Sequence, residues 1–147
     1  MKKKNLKVGW ALGNQEIKTR TISKHLGWLG FLGFMGPIAY LTTDWTGSLA
    51  FLVFFGFFSF YFEGKMSGTL RDERYLENER RAQGVAYRVG LMIIFLSLIA
   101  CVNWIEPYGY KAAYTFLIAV LALDWAVVSN LSIGLLYYWD KQEQDNE

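Results

Sequence analysis

One carboxyl group interrupts an apolar run that is otherwise free of charge. Asp124 lies within residues 112–139, twelve positions beyond Ala112. In a helix that is about 18 Å along the axis, near the middle of a bilayer. A charge at that depth costs upward of ~2.5 kcal/mol, so the acid must face a bundle interior and be protonated or partnered. Two chemistries follow: relay of a proton or cation, or a neutral carboxyl that bonds one helix to another. The second is the plainer reading. Ser97, Ser59 and Tyr40 are its neutral candidate partners, with Ser97 expected at similar depth. Asn130 and Ser132 suit the same bonding role.

The other chemically dense stretch is GTLRDERYLENERRAQG, residues 68–84. Asp72, Glu73 and Arg74 stand in a row, followed by Asn78 and Arg81. Residues 63–88 hold five acids and six bases. That near-neutral mosaic is a poor lipid-binding polybasic patch. It reads either as a solvated helix laced with ion pairs of ~0–1 kcal/mol each, or as a docking surface for a cytoplasmic partner or a second copy. Thr69 with Asp72 predicts a capping box and a helix starting near Leu70. Glu77 and Arg81 are spaced to pair at i,i+4 on that helix, and Asp72 to meet Tyr75 and Leu76. The helix is expected to run unbroken into the apolar residues beyond Arg88.

These residues have to be positioned by something, and the surrounding chain is strongly apolar. Hydrophobic types make up 53% of the 147 residues and aromatics 18%. Four runs are long enough to cross a bilayer: residues 26–43, 45–62, 88–105 and 112–139. Backbone groups in hydrocarbon must bond internally, so each run is expected to be a helix. The predicted fold is an all-α membrane protein: four transmembrane helices as two antiparallel hairpins, joined by a charged cytoplasmic helical loop at residues 63–87. A basic segment, 1–24, precedes the 25–139 membrane domain, and an acidic tail, 140–147, follows it. All basic residues except Lys111 fall on one side of this layout, which predicts a plasma-membrane protein with both termini cytoplasmic. Trp28, Tyr40, Trp45, Trp104, Tyr108, Tyr110 and residues 137–139 supply an aromatic belt. Residues 1–24 are too polar for a signal peptide and are expected to stay uncleaved, lying on the membrane surface or disordered.

Gly27, Gly30, Gly33 and Gly36 recur every third residue, followed by Pro37. On an α-helix a three-residue step drifts around the axis, so no continuous small-residue stripe is expected, and the pattern reads as local packing with a kink at Pro37. GWALG and GKMSG have GxxxG spacing but lie outside the apolar runs. The NLS sequon at 130–132 falls inside a span. One cysteine, Cys101, and one histidine, His25, exclude an internal disulfide and a histidine-rich metal site. No phosphate loop, HExxH, catalytic triad or CxxC is present. The expectation is a non-enzymatic protein with no cofactor, no metal and no direct nucleic-acid contact.

EGKMSGTLRDERYLENERRAQGVAYR, residues 63–88, resembles the signature of an uncharacterised family, a domain of unknown function, of small bacterial four-span membrane proteins. In that family an Asp-Glu-Arg triplet separates two hydrophobic hairpins. The resemblance rests on Asp72, Glu73, Arg74 and Asn78, with Arg81, Ala82 and Ala86 further on, within a layout covering residues 26–139. Such proteins are often encoded beside a Cro-like helix-turn-helix regulator. The resemblance therefore implies a membrane partner of a cytoplasmic transcription regulator and assigns no catalytic residue. Two other functions stay open from the residues: an immunity or resistance protein against a membrane-active peptide, and a small proton-coupled transporter using Asp124. Beyond the lipid bilayer and a regulator protein, a homo-oligomer is a further candidate association.

Overall fold

A computed structural model describes residues 19–69 and 71–144. Expectations for residues 1–18, including GWALG, and for 145–147 lie outside the described residues. Three helices carry the apolar runs: α1, Lys24–Thr43; α2, Thr46–Lys65; and α3, Glu73–Gln144. All three are long and apolar enough, by length and composition, to cross a membrane.

The first two helices are not α-helical throughout. Lys24–Phe34 of α1 and Thr46–Phe58 of α2 are 3-10 helices, which pass into α-helix at Met35–Thr43 and Ser59–Lys65. Runs of 11 and 13 residues are long for this conformation, whose hydrogen bonds are poorer than those of an α-helix. The residue pattern explains them. With three residues per turn, positions i and i+3 eclipse, so the repeat GWL-GFL-GFM-GPI at 27–38 forms straight stripes. The drift expected for the glycines on an α-helix is therefore corrected: Gly27, Gly30, Gly33 and Gly36 are all buried on one line against α2. A Cβ at Gly30 would meet Phe58 Cδ1 at 2.7 Å, and one at Gly33 would meet Phe55 Cδ1 at the same distance. The aromatic residues stack up the same period. Trp28 and Phe31 have ring centroids 5.5 Å apart, and along Phe51, Phe54, Phe57 and Phe60 successive spacings are 5.6, 5.2 and 5.4 Å. Edge contacts of Phe31 with Phe58 (5.2 Å) and Phe34 with Phe55 (4.9 Å) join the two helices.

The turn between α1 and α2 uses Asp44 in the left-handed region, φ 52°, with its N–H on Tyr40 O at 2.8 Å. Asp tolerates that conformation better than most residues. A second break lies inside α3, where Gly109 has φ 78° and ψ 168° just after Pro107. That backbone is essentially restricted to glycine. The chain folds back there, so residues 73–108 and 110–144 form two limbs in contact. Trp104 stacks on Phe116 with centroids 4.6 Å apart, Cys101 Sγ lies 3.6 Å from Ala113 O, and Asn78 Nδ2 donates to Glu143 Oε2 at 2.9 Å.

Helix α2 packs between α1 and α3. Leu49 and Leu52 meet Ala122 in a small core that Tyr40 and Ile118 extend. Asn130 Nδ2 donates to Phe55 O at 2.9 Å, the interhelical role expected of it, while Ser132 bonds only within its own limb, to Ser129 O. The two ends of the molecule differ. At one, the Asp44 carboxylate pairs with Lys111, and the Thr46 and Thr115 hydroxyls lie 3.2 Å apart. At the other, Thr19 N–H donates to Thr69 O (2.8 Å) and Thr19 Oγ1 to Met66 O (2.6 Å), so the strap of residues 19–23 lies beside the ionic block, with Arg20 near Glu63 and Tyr75. Between the ends much apolar surface stays uncovered, with Leu41 82%, Val102 70% and Leu91 67% exposed.

Candidate functional site: the ionic stalk and Asp124

Asp72 itself is the N-cap of α3. Its Oδ1 accepts the Tyr75 N–H at 2.8 Å and its carbonyl accepts the Leu76 N–H at 3.1 Å. This corrects the expected capping box at Thr69 with a start near Leu70: the helix begins at Glu73. The capped carboxyl is held below the usual carboxylate range, first by the Tyr75 N–H and then by Arg74, whose Nε lies 3.4 Å away.

From Glu73 the helix continues without interruption to Gly109, as expected, and its first four turns pair with residues 133–143. Tyr75, Ala82 and Leu136 are buried together with Met66, and Trp139 packs on them. Arg81 lies over the Trp139 ring, 4.5 Å from its centroid, in place of the expected Glu77–Arg81 pair. Residues 140–144 are the last turn of α3. Burial pushes the Tyr75 hydroxyl above its ordinary range, with Glu79 adding to it. Burial also raises the Asp140 carboxyl, with Asp72 and Glu143 nearby.

The block is therefore a packed helical stalk with two unlike faces. Of the five residues singled out in the sequence, Asn78 is buried on Glu143, Arg81 covers Trp139 and Asp72 caps the helix. Glu73 and Arg74 are exposed, with Arg74 beside Asp72. A face of which the sequence singled out only Glu73 lies on the opposite side: Glu73, Leu76, Glu77 and Arg80 at helical spacing around a depression. Among the described residues, Glu73, Glu77 and Arg80 form no ion pair with one another or with neighbours. Beside the stalk base, Arg71 pairs with Glu79 at 2.6 Å, and a small polar cleft opens between Arg20, Glu63 and Tyr75.

Asp124 is 7% exposed, and its Oδ1 is buried with no hydrogen-bond partner among the described residues. None of the three expected partners reaches it. Ser97 Oγ donates to Ile94 O (2.8 Å), Ser59 Oγ donates to Gly56 O (2.7 Å), and Tyr40 packs in the Leu49–Leu52 core. The residue opposite is Gly90: a Cβ there would lie 3.3 and 3.4 Å from the two carboxyl oxygens. The fold-back at Gly109 sets this register, aligning Asp124 with the ionic end of the N-terminal limb and leaving Ser97 displaced along it. No group of three or more potential metal ligands occurs among the described residues.

Comparison with family models, curated proteins and solved structures returns no match to this chain.

Proposed function

We propose that this chain is a non-enzymatic integral membrane protein whose stalk docks a cytoplasmic partner, a transcription regulator being the kind of partner the sequence resemblance suggests. Four spans cross the bilayer: α1, α2 and the apolar part of each α3 limb. The stalk and both termini face the cytoplasm, because the basic residues collect at that end and the Asp44–Lys111 end is nearly free of them. Uncovered Leu, Val, Phe and Trp side chains along all three helices support insertion, since a soluble monomer rarely exposes so large an apolar area.

The observation that carries the docking reading is the outward face of Glu73, Leu76, Glu77 and Arg80. It combines unpaired charges of both signs with one half-exposed leucine on a helix already fixed by Asn78–Glu143 and Arg81–Trp139. Charge patterns of mixed sign select a partner more than they add affinity, and a preorganised helix avoids an ordering cost on binding. The test is a full-length E73K/E77K/R80E variant in cells, with a photo-crosslinker at Leu76. The wild type should capture one defined cytoplasmic protein, and the variant should lose it while remaining in the membrane fraction. Undiminished capture by the variant rules out this face.

A second reading has one specific observation behind it: the buried, unpartnered Oδ1 of Asp124. As a coupling carboxyl, it would make Asp124→Asn abolish pH-dependent ion movement in proteoliposomes without loss of the fold. As a purely structural group, it predicts no such flux in the wild type.

A further inference from the structure

At the ionic end a groove of about 270 Å³ opens between α1 and α2. Gly27 forms its floor, Trp28 and Phe31 one wall, Phe58 and Tyr61 the other. The glycine lets the two helices meet at that floor, because a Cβ there would already be 3.1 Å from Tyr61 Cβ. The edge contact of Phe31 on Phe58 closes the far end. Lys24 and Phe31 are seven residues apart on a 3-10 rise, so the groove runs about 14 Å into the apolar zone. Lys24 stands at its mouth and forms no ion pair among the described residues. Lys65 lies outside the lining but near it, its Nζ 4.5 Å from the centre of the Tyr61 ring that forms the wall and 5.4 Å from that of Tyr137 on α3.

The shape and charge fit one kind of occupant. A slot lined by glycine and aromatic rings, with the Lys24 ammonium at its mouth, Lys65 beside the Tyr61 wall and apolar surface at its far end, suits a molecule with an anionic head and a hydrocarbon tail. We propose that this groove holds an anionic phospholipid of the cytoplasmic leaflet, its phosphate against Lys24 and within the field of Lys65, and the upper part of one acyl chain along Gly27, Phe31 and Phe58. The inference rests on the membrane reading above and adds to it a defined lipid site. A leaflet rich in anionic lipid attracts lysines at its surface in any case. The groove adds depth and a fixed position to that attraction.

The full-length protein is reconstituted in nanodiscs containing both phosphatidylcholine and phosphatidylglycerol, and the lipids that stay bound are counted by native mass spectrometry. Phosphatidylglycerol should be retained in preference to phosphatidylcholine. K24Q/K65Q should reduce that preference by on the order of 10-fold, the effect of two juxtamembrane charges, whereas R80Q, which removes a cation from the stalk, should leave it unchanged. Equal retention of the two lipids by the wild type overturns the proposal without reference to any variant. So does a preference that survives K24Q/K65Q, or one that R80Q lowers as much. Failure of the membrane reading would look different: the chain would remain in buffer and enter no nanodisc.

Discussion

Single residues at the stalk act mostly on their own backbone and on one another. Asp72 shows this most directly, since its carboxylate satisfies a helix N–H that has no partner within the helix. Its folded pKa lies below the ordinary value, so its contribution is fully present above the unfolded carboxylate range near pH ~4 and is lost as pH falls through the lower folded value. Asp72→Ala should therefore cost about 1 kcal/mol of stalk stability at neutral pH. In wild type the same loss should appear on acidification, and amide hydrogen exchange at Tyr75 and Leu76 would report both. A mutant whose exchange at Tyr75 is unchanged would mean that the cap carries no stability. The sequence placed Asp72 next to Tyr75 and Leu76 correctly, because that relation is local. It did not reveal that Asn78 turns inward, or that Arg81, itself exposed, lies over Trp139. A polar side chain reads as exposed until the element that covers it, here residues 139–143, is known to fold back alongside. Asp124 was legible as an anomaly, but its neighbour Gly90 was not: a glycine notch has no chemistry of its own and depends on a register fixed at Gly109, about 28 Å away along the helix.

At the scale of elements, the three-residue period in α1 and α2 decides the backbone. The apolar runs identify helices by length alone, and that much was readable. Their helix type was not, because an α-helix is the ordinary expectation and turns a three-residue repeat into a slow spiral. In a 3-10 helix the same repeat gives a glycine line facing α2 and aromatic lines beside it, and close packing there offsets the poorer hydrogen bonds. The two backbones predict opposite signs for one substitution. If α1 were α-helical with Gly30 free of contact, Gly30→Ala would gain about 1 kcal/mol from helix propensity. With Gly30 pressed on Phe58, the added methyl overpacks the interface and should cost about 1–3 kcal/mol. Unfolding in mixed detergent micelles would measure the sign, and stabilisation by alanine would exclude the glycine line.

The whole molecule is polarised along its helices. One end holds the strap of residues 19–23, the stalk and the last turn of α3; the other holds two short turns tied by Asp44 and Lys111. Between them lies a largely uncovered apolar surface on helices long and apolar enough to cross a membrane. On the membrane reading proposed above, the distribution of positive charge puts the stalk end on the cytoplasmic side, since basic residues near span ends are retained there. Single cysteines in a Cys101→Ser background test this in intact cells. A cysteine at Glu77, on the exposed face of the stalk, should react with a membrane-impermeant maleimide only after the cells are opened. A cysteine at Tyr110, 79% exposed beside the fold-back, should react from outside. Reaction of the Glu77 position in sealed cells would invert the protein and move the stalk away from every cytoplasmic partner. The Asp44–Lys111 pair couples this outcome to folding, because it joins the α1–α2 turn to the fold-back of α3 and so brings both turns to one side.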